Sequence, residues 1–543
     1  MHGLRCITKI LTSPRASASA VGNFHLHIRL LTTFPSRMPS PPKIAKPSQE
    51  SELLEDIVKQ LGKPPRMREN PAFTKVDSAE FHSIFTPELE ELVALFKKYD
   101  YELRIAGGAV RDILMSIKPK DVDLATTATP EQMKEMFTKE EVRMINAKGE
   151  KHGTITPRIN NKENFEVTTL RIDVRTDGRH ADVMFTTDWQ LDANRRDLTI
   201  NSMFLGFDGT VYDYFYGYDD LQKRRIVFVG DANVRIKEDY LRILRYFRFY
   251  GRIVPVADTH DAVTLAAIKA NAEGLARISG ERIWAELQKI VAGNFGYELV
   301  LEMYKCDLTA HCGLPAEPDL TEFKRLCSDL KHFEQPHYPI LYLIGLLNSS
   351  EDAIKMHERL KLSAHERDLA LFITQQRQRV DVEYVCLRDY QKLCLQPYAK
   401  RDFVEQLLKY TNKLELYNQL KAWETPNFPI NGNTLKSHGL VGKIVGQVIA
   451  ELRLLWTNSD FKLTADELLE KLPTILELLQ KSPPGTPNKK PRSHCGNSYA
   501  PFGGIFWQNC LSKCFLNCAK NLHIDLLNDP KSMSIKTMEM LFN

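Results

Sequence analysis

Residues 104–126 have the sequence RIAGGAVRDILMSIKPKDVDLAT, and this stretch decides the fold. Its apolar start predicts a strand that Gly107 and Gly108 stop, and AVRDILMSI then resumes with helical spacing. Glycine lets backbone amides approach a ligand closely, and the start of a helix favours a phosphate. The stretch therefore predicts a phosphate-binding turn at Gly108, with Arg111 in the first helical turn as a charge-assisted contact to a triphosphate.

Two acids follow this helix: Asp121 comes just before the stretch VDLAT, and Asp123 lies within it. If the strand includes them, Asp121 and Asp123 point to the same face, because side chains alternate along a strand. Two such carboxylates can share divalent ions, and Mg²⁺ prefers oxygen ligands together with substrate phosphates. An isolated D-x-D is common on protein surfaces. The ordered combination of strand, glycine pair, helix and acidic strand instead favours a nucleotidyltransferase palm.

Two further clusters, DANRRDLTINSM and EDYLRILRYFRF, combine acids with arginines. Adjacent arginines in the first can hold a phosphate or a ribose, and Asp197 can orient them. The alternative is an exposed ion-pair network. In the second, charges recur every three residues, and an Asp–Arg pair offers an acceptor and a planar donor fork for the edge of a base. The alternative there is an amphipathic helix with surface ion pairs. The clusters contribute Asp192, Arg195, Arg196, Asp197, Asp239, Arg242, Arg245 and Arg248.

The pattern of apolar residues predicts an α+β protein. Its first part is a small mixed sheet with helices, and helical patterns follow to about Lys481. FTPELEELVALFKKY, TPEQMKEMF and IKEDYLRILRYFRFYG predict helices, whereas FEVTTLR and ADVMFT predict strands around a polar loop, IDVRTDGRH. FLGFDGTVYDYF predicts a hairpin that turns at Asp208 and Gly209.

Composition allows several domains, since the chain has 543 residues and 43% hydrophobic content. No apolar run approaches the roughly 20 residues of a membrane helix, so a soluble protein is expected. The net charge of +4 permits a nucleic-acid binder without implying one. Ten scattered cysteines favour a reducing compartment, and CLSKCFLNC lacks the paired spacing of a zinc site.

The N-terminal residues predict a mitochondrial transit peptide. No acidic residue occurs before Glu50, whereas seven lysines and arginines do, and serine and threonine are frequent. The alternative is a disordered basic tail. Initiation at Met38 would omit the transit peptide, which predicts an additional form in the cytoplasm and nucleus.

Taken together, these motifs resemble those of class II CCA-adding enzymes of the metazoan mitochondrial type, the tRNA nucleotidyltransferases that also resemble bacterial poly(A) polymerases. The resemblance extends from Phe85 to Leu472. It implies that the chain adds CCA to the 3′ end of tRNA without a nucleic-acid template. The implied substrates are CTP, ATP and the acceptor end and stem of tRNA, and the implied cofactor is Mg²⁺.

The resemblance also implies roles for individual residues. Asp121 and Asp123 would be catalytic and bind the metal, and Gly108 and Arg111 would bind the triphosphate. The D-x-x-R-R-D motif would bind ribose and phosphate, and the E-D-x-x-R motif would be the amino-acid template for C and then A. These roles fall on Asp192, Arg195, Arg196 and Asp197, then on Asp239 and Arg242, with Arg245 and Arg248 as phosphate contacts.

Further stretches match secondary motifs of the family. Tyr216 and Gly217 occupy the place of a hinge that has two glycines in bacterial members. RISGERIWAEL, with Ser279, Glu281 and Arg282, resembles a structural motif that supports the templating helix. IDVRTDGRHADV resembles the flexible loop implicated in adding the final A.

Two assignments remain open at this stage. Glu166 is either a third acid near the metals or, as we prefer, a strand-supporting residue. Gly442 and Lys443, in a stretch similar to the family's tRNA-binding tail, could place the start of a helix at a backbone phosphate.

The sequence predicts seven segments and leaves monomer and homodimer open. They are a transit peptide (1–37), a linker and lead-in (38–80), the nucleotidyltransferase head (81–222), a helical neck with the templating helix (223–300), a helical body (301–400), a helical tRNA-binding tail (401–482) and a disordered or isoform-specific C-terminus (483–543). Two other functions compete with CCA addition: a poly(A) polymerase of the same family, and an inactive tRNA-binding protein. A pure binder has no need of the paired acids, which argues against the second.

Overall fold

The computed structural model describes residues 66–145, 147–176, 181–333, 337–396 and 398–481. It divides into two compact units. One extends to Phe428 and includes Leu454–Lys462, and the other contains Pro429–Arg453 and the residues from Leu463 onward. The predicted transit peptide, Met38, the CLSKCFLNC stretch and the C-terminal segment from 483 lie outside the described residues. Within the described ranges, every helix is too short or too polar to span a bilayer.

A mixed sheet forms the head, as the sequence predicts. Its strands are β1 (Ala72–Lys75), β2 (Leu103–Ala106), β3 (Leu124–Thr126), β4 (Arg143–Ile145), β5 (Thr154–Ile159), β6 (Glu163–Asn164), β7 (Val167–Thr169), β10 (Phe204–Leu205) and β11 (Thr210–Tyr212). The order is β1-β11-β10-β2-β3-β7-β5-β4, with β6 beside β5. β3 and β7 pair in parallel, with Leu124 opposite Val167, and the other pairs are antiparallel.

The six helices described for the head are α1 (Ala79–His82), α2 (Pro87–Lys98), α3 (Gly108–Leu114), α4 (Pro130–Lys139), α5 (Trp189–Asn194) and α6 (Gly217–Gln222). Four of them, α1, α2, α4 and α5, follow a residue whose side chain accepts from their first amide groups. Thr86 caps α2 and Thr129 caps α4, each followed by a proline that needs no hydrogen-bond acceptor. Leu89, Leu92 and Phe96 of α2 are fully buried, so its apolar face is part of the core.

The rest of the described chain is helical. The helices of the first unit are α7 (Ala232–Glu238), α8 (Arg242–Ile253), α9 (Ala262–Ala270), α10 (Gly280–Val291), α11 (Gly296–Lys305), α12 (Leu320–Asp329), α13 (Ile340–Ile344), α14 (Ser350–Leu360), α15 (Ala364–Gln376), α16 (Leu387–Cys394), α17 (Arg401–Tyr410) and α18 (Leu414–Ala422). Four more follow: α19 (Gly432–Ser437), α20 (Lys443–Asn458), α21 (Ala465–Leu469) and α22 (Leu472–Lys481). The predicted α+β class is therefore confirmed.

The predicted helix IKEDYLRILRYFRFYG is wrong in its continuity, because it is broken between α7 and α8. Asp239 is extended, with φ −152°, and its Oδ1 accepts the Leu241 amide at 3.1 Å. An aspartate that takes up nearby amides in this way competes with helical hydrogen bonding. The inward face of α8 is as predicted, since Ile243, Leu244 and Phe247 are fully buried.

Two strand boundaries also differ from the prediction. β3 begins at Leu124, so Asp121 and Asp123 precede the strand rather than lie within it. Residues 172–176 of the predicted polar loop belong to β8 (Arg171–Thr176), which pairs with β9 (Ala181–Phe185) in a separate two-stranded sheet; residues 177–180 of that loop lie outside the described residues. Alternating polar and apolar residues favour a strand once a partner is present, and β9 supplies it. The hairpin of β10 and β11 is confirmed, with Gly209 at φ +81° in its turn.

Candidate active site

The turn between β2 and α3 requires its glycine. Gly107 has φ +63°, a region that favours glycine, and its amide donates to the carbonyl of Met203 at 3.0 Å. A Cβ atom here would lie 2.9 Å from Nη1 of Arg196. The missing side chain thus leaves room for a guanidinium beside the start of α3, where the amides of Gly108 and its neighbours begin the helix.

Acidic residues lie just before the starts of β3 and β7. Asp123 precedes β3, and its carbonyl accepts the Ala106 amide at 2.9 Å. Glu166 precedes β7, and the parallel register brings it beside Asp123. Asp123 remains exposed, but the surrounding protein partly desolvates it and raises its pKa. The negative charges of Glu166 and Asp121 raise that pKa further, and Arg196 lowers it. Such mutual repulsion favours a cation between the acids.

The fit to a divalent metal depends on these acids. Within the described ranges, no three acidic, histidine or cysteine side chains form a complete ligand cluster. Mg²⁺ commonly takes one or two carboxylates and completes its shell with water and substrate phosphates. Asp121 and Asp123 are both solvent-accessible and satisfy that smaller requirement.

The carboxylate of Asp192 binds the guanidinium groups of both adjacent arginines. Its carboxylate accepts from Arg195 at 2.7 and 2.9 Å and from Arg196 at 3.1 and 3.2 Å, and it is 1% exposed. Burial opposes its ionisation, but the two guanidinium charges outweigh burial and lower its pKa. Asp192 is thus a positioning group for the arginines.

The expectation that Asp197 orients those arginines is wrong. Asp197 pairs instead with Arg245 of α8, whose Nε lies 2.5 Å from Oδ2. Burial raises the pKa of Asp197, yet Arg245 overcomes this and holds it at about 2. Asp192 already forms ion pairs with Arg195 and Arg196, whereas the carboxylate of Asp197 faces α8 and pairs with Arg245 there.

Two positioning residues were not among the predicted site residues. Asn201 accepts from Nη1 of Arg111 at 2.6 Å, and its carbonyl accepts from Arg196 at 3.3 Å. Asp112 accepts from Arg111 at 2.8 and 3.0 Å through Oδ1 and from Arg252 at 2.8 Å through Oδ2. Each joins groups far apart in sequence. The only signal in the sequence was their position within the motifs RD and RRDLTIN.

The predicted templating pair is held by separate partners. Oδ2 of Asp239 accepts from Arg282 of α10 at 2.8 Å. Arg242 donates to the carbonyls of Arg235 and Arg195, at 2.9 Å each, and contacts Glu238. Arg282, expected to be structural, therefore touches the carboxylate that would read a base.

Arg248 and the hinge segment are fixed in other ways. Arg248 donates to both carboxylate oxygens of buried Glu286, at 2.8 and 2.9 Å. Tyr216 has φ +63°, and the guanidinium carbon of Arg66 lies 3.9 Å from its ring centroid. At Gly217 a Cβ would lie 2.1 Å from the carbonyl of Thr199, so this second hinge position needs glycine for space.

These groups surround one cleft of about 400 Å³, called the nucleotide cleft below. Asp192 lies beneath its arginines, and Asp121 lines a neighbouring cleft. Phe249, which was not predicted, has its ring 4.3 Å from the guanidinium of Arg248. Arginines outnumber acids in the lining, so the cleft favours an anionic ligand. The predicted residues that line it are Gly108, Arg111, Asp123, Arg195, Arg196, Asp197, Asp239, Arg242, Arg245 and Arg248.

Comparison with known proteins identifies the family. Residues 103–227 match the model of the poly A polymerase head domain, and residues 260–315 match that of a probable RNA- and SrmB-binding site of polymerase A. The chain is 51% identical over 402 residues to the mouse CCA tRNA nucleotidyltransferase 1, mitochondrial, a match that covers 73% of this chain and 92% of the relative. The chain belongs to the CCA-adding tRNA nucleotidyltransferases.

Other members of this family support the same assignment. The human CCA tRNA nucleotidyltransferase 1, mitochondrial, is 50% identical over 402 residues, with 73% of this chain and 92% of the relative covered. The fold is similar to that of the Bacillus stearothermophilus CCA-adding enzyme solved with CTP, with a TM-score of 0.57 and 23% identity. That match covers 74% of this chain and 100% of the bacterial one, so the two chains share a fold.

Proposed function

We propose that this chain is the enzyme that adds C, C and A to the 3′ end of tRNA from CTP and ATP. The 3′-hydroxyl attacks the α-phosphate, the bond between the α- and β-phosphates breaks, and pyrophosphate leaves at each step. The observation that carries the proposal is the nucleotide cleft, which brings the glycine turn, an acid of the D-x-D pair and the Asp239–Arg242 motif together. The names and extent of the matched relatives support the same activity.

Asp121 and Asp123 are the proposed catalytic residues and would hold Mg²⁺. When bound, the metal would lower the cost of ionising the attacking hydroxyl and offset charge on the leaving group. Our preference for Glu166 as a strand-supporting residue stays a prediction, and its negative charge raises the pKa of Asp123.

The arginines position the triphosphate. Arg111, Arg195 and Arg196 surround the glycine turn and are held in place by Asp112, Asn201 and Asp192, so little reorganisation is needed on binding. Arg245 and Arg248 add positive charge along α8. Catalysis on this account comes mainly from positioning and charge stabilisation.

Asp239 and Arg242 are the proposed template. A carboxylate accepts from an exocyclic amine, and a guanidinium donates to ring and carbonyl acceptors, so the pair can recognise one base edge at a time. Both are tied to protein partners here, Arg282 and Glu238. Reading a base therefore requires that the nucleotide replace at least part of those contacts.

The remaining proposals concern location and division of the chain. We place the enzyme in the mitochondrial matrix, in line with the names of the mouse and human relatives, with a further cytoplasmic and nuclear form initiated at Met38. The division into head, neck, body and tail, and tRNA binding near Gly442, stay predictions. The structure has α20 beginning at Lys443 after Gly442 at φ +75°.

A direct test is to incubate the protein with tRNA lacking its 3′ end and with each nucleotide separately. CCA addition predicts incorporation from CTP alone and only slight incorporation from ATP alone. A poly(A) polymerase would use ATP alone and ignore CTP. An inactive tRNA-binding protein would bind the tRNA and incorporate neither.

A further inference from the structure

Two charged side chains of helix α10 bind residues that line the nucleotide cleft. Arg282 donates to Oδ2 of Asp239 at 2.8 Å, and both carboxylate oxygens of Glu286 accept from Arg248, at 2.8 and 2.9 Å. Charge-assisted hydrogen bonds of this kind are about twice as strong as neutral ones. The placement of α10 therefore helps to fix the carboxylate of Asp239 within the cleft.

The start of α10 packs against the backbone of α14. A Cβ at Gly280, the first residue of α10, would lie 2.0 Å from the carbonyl oxygen of Arg359, so only glycine permits this approach. Trp284, in the next turn of α10, donates its indole N–H to Glu366 of α15 at 3.0 Å. The first turns of α10 are thus held by α14 and α15.

The side chain of Arg359 binds the segment that leads into α10. Its Nη2 donates to the carbonyls of Leu275 and Ile278 at 2.9 and 3.1 Å, and its Nε donates to the carbonyl of His311 at 2.8 Å. Within the described ranges Arg359 forms no ion pair, so these carbonyl oxygens are the partners of its charge. One planar group with three such bonds fixes the backbone around it, and Ile278 lies two residues before α10.

We propose that Arg359 is a positioning residue for base selection, which acts by fixing the start of α10 and, through Arg282, the carboxylate of Asp239. This inference rests on the proposed function, because it gives a support to the proposed template. Arg359 does not line the nucleotide cleft, so it has no direct contact with a nucleotide there. Recognition of a base depends on hydrogen-bond geometry, and residues behind a site must hold its groups to within about 0.5 Å.

The preference for CTP over UTP reports the position of Asp239. Cytosine presents an exocyclic amine, which a carboxylate accepts, where uracil presents a carbonyl oxygen, which a carboxylate repels. A displaced carboxylate therefore loses affinity for cytosine and repels uracil less. Loss of global stability alone would lower the use of both nucleotides equally.

The test is the variant Arg359→Met in the full chain, with Arg377→Met as the matched control. Arg377 is half-buried like Arg359 and donates to the carbonyls of Ile344 and Leu347 and to the hydroxyl of Tyr410, all of which lie outside α10 and the segment before it. We measure kcat/KM for CTP and for UTP on tRNA lacking CCA, at a temperature where circular dichroism shows each variant to be folded. The ratio of the two should fall about tenfold in Arg359→Met, because small displacements of a binding group are costly, and should stay close to wild type in Arg377→Met.

A double-mutant cycle tests the route through α10. Arg282→Ala should itself lower the preference for CTP, and adding Arg359→Met should lower it little further, because both changes act on Asp239 by one path. Additive losses would overturn the proposal, as would an unchanged preference in Arg359→Met or an equal loss in Arg377→Met. If Arg359→Met does not fold, Arg359→Lys, which cannot make all three bonds in the same plane, takes its place with the same expected direction.

The variant Asp239→Ala separates this inference from the proposed function. A lowered CTP preference in Asp239→Ala with none in Arg359→Met would contradict the role of Arg359 and leave the template intact. An unchanged preference in Asp239→Ala would contradict the template itself, and with it the inference.

Discussion

At the scale of single residues, the site is a set of arginines whose positions are fixed by buried acceptors. Asp192, Asp112 and Asn201 each hold one or two guanidinium groups and leave their outer edges facing the nucleotide cleft. Removing such an acceptor leaves a charged group unpaired. The resulting loss of stability exceeds the net stabilisation that the intact pair provides. The acids Asp121 and Asp123 differ from these acceptors, because both are exposed and, among the described residues, neither forms an ion pair within 4.0 Å.

The variant Asp121→Ala separates catalysis from binding. We expect CTP incorporation to be abolished, because the proposed metal site loses one of its two main ligands, while tRNA affinity stays nearly unchanged. Radiolabelled CTP incorporation and filter binding of tRNA measure the two properties. Persistent incorporation would show that the metal assignment is wrong.

Asp197 makes a prediction about stability and pH. Its pKa of about 2 lies below the ordinary value of about 3.9, so its ionised form stabilises the fold above pH ~4 and that stabilisation is lost as the pH falls toward 2. The expected contribution is about 2 kcal/mol in the free energy of unfolding. The variant Asp197→Asn should lack this stabilisation at neutral pH, and its free energy of unfolding should fall less as the pH is lowered. Urea unfolding at several pH values measures both effects.

The control for this experiment is Asp258→Asn, which removes an exposed carboxylate. It should keep the acid dependence of the wild type. If Asp197→Asn also keeps that dependence, the pair of Asp197 with Arg245 does not stabilise the folded state in the way the structure indicates.

At the scale of elements, the sequence predicted the helices and turns that depend on residues close together in the chain. The helices over FTPELEELVALFKKY and TPEQMKEMF and the glycine that ends β2 depend on neighbouring residues alone, and the structure confirms them. The break at Asp239 was missed because hydrophobic spacing continues through it, and a side chain rather than the pattern interrupts the helix. The role of Asn201 was missed because it depends on Arg111, 90 residues away.

The turn between β2 and α3 carries a prediction at this scale. Gly107→Ala should raise KM for CTP about tenfold or more, because the new Cβ displaces Arg196, and should cost about 1 kcal/mol of stability through its positive φ. Gly439→Ala is the matched control, since Gly439 also has positive φ, +81°, but its Cβ would meet nothing within 4 Å. Equal effects of the two variants on KM would mean that backbone strain, not Arg196, explains the result.

At the scale of the whole molecule, the order of segments could be predicted only where motifs mark them. The head was predicted from its glycine turn and acids, and the structure confirms a mixed sheet followed by helices. Distances between elements could not be derived from the sequence, because they depend on the packing of α8 and α10 against the head. The separation of Asp121 and Asp123 between two neighbouring clefts is therefore a structural finding.

Localisation is tested with two fusion proteins. A full-length fusion to a fluorescent protein should enter mitochondria, because its N-terminal segment is basic and lacks acidic residues. A fusion started at Met38 should remain in the cytoplasm and nucleus, as seen by microscopy and fractionation. Import of the Met38 form would contradict the assignment of residues 1–37 as the transit peptide.

The central claim is that side chains at Asp239 and Arg242, rather than a nucleic acid, choose each base. The most direct measurement is sequencing of the 3′ ends made from tRNA lacking CCA with CTP and ATP both present. Wild type and the control Arg225→Ala, an exposed arginine paired with Asp220, should yield CCA. Arg242→Ala should yield mixed C and A at each position. Unaltered CCA from that variant would contradict the account.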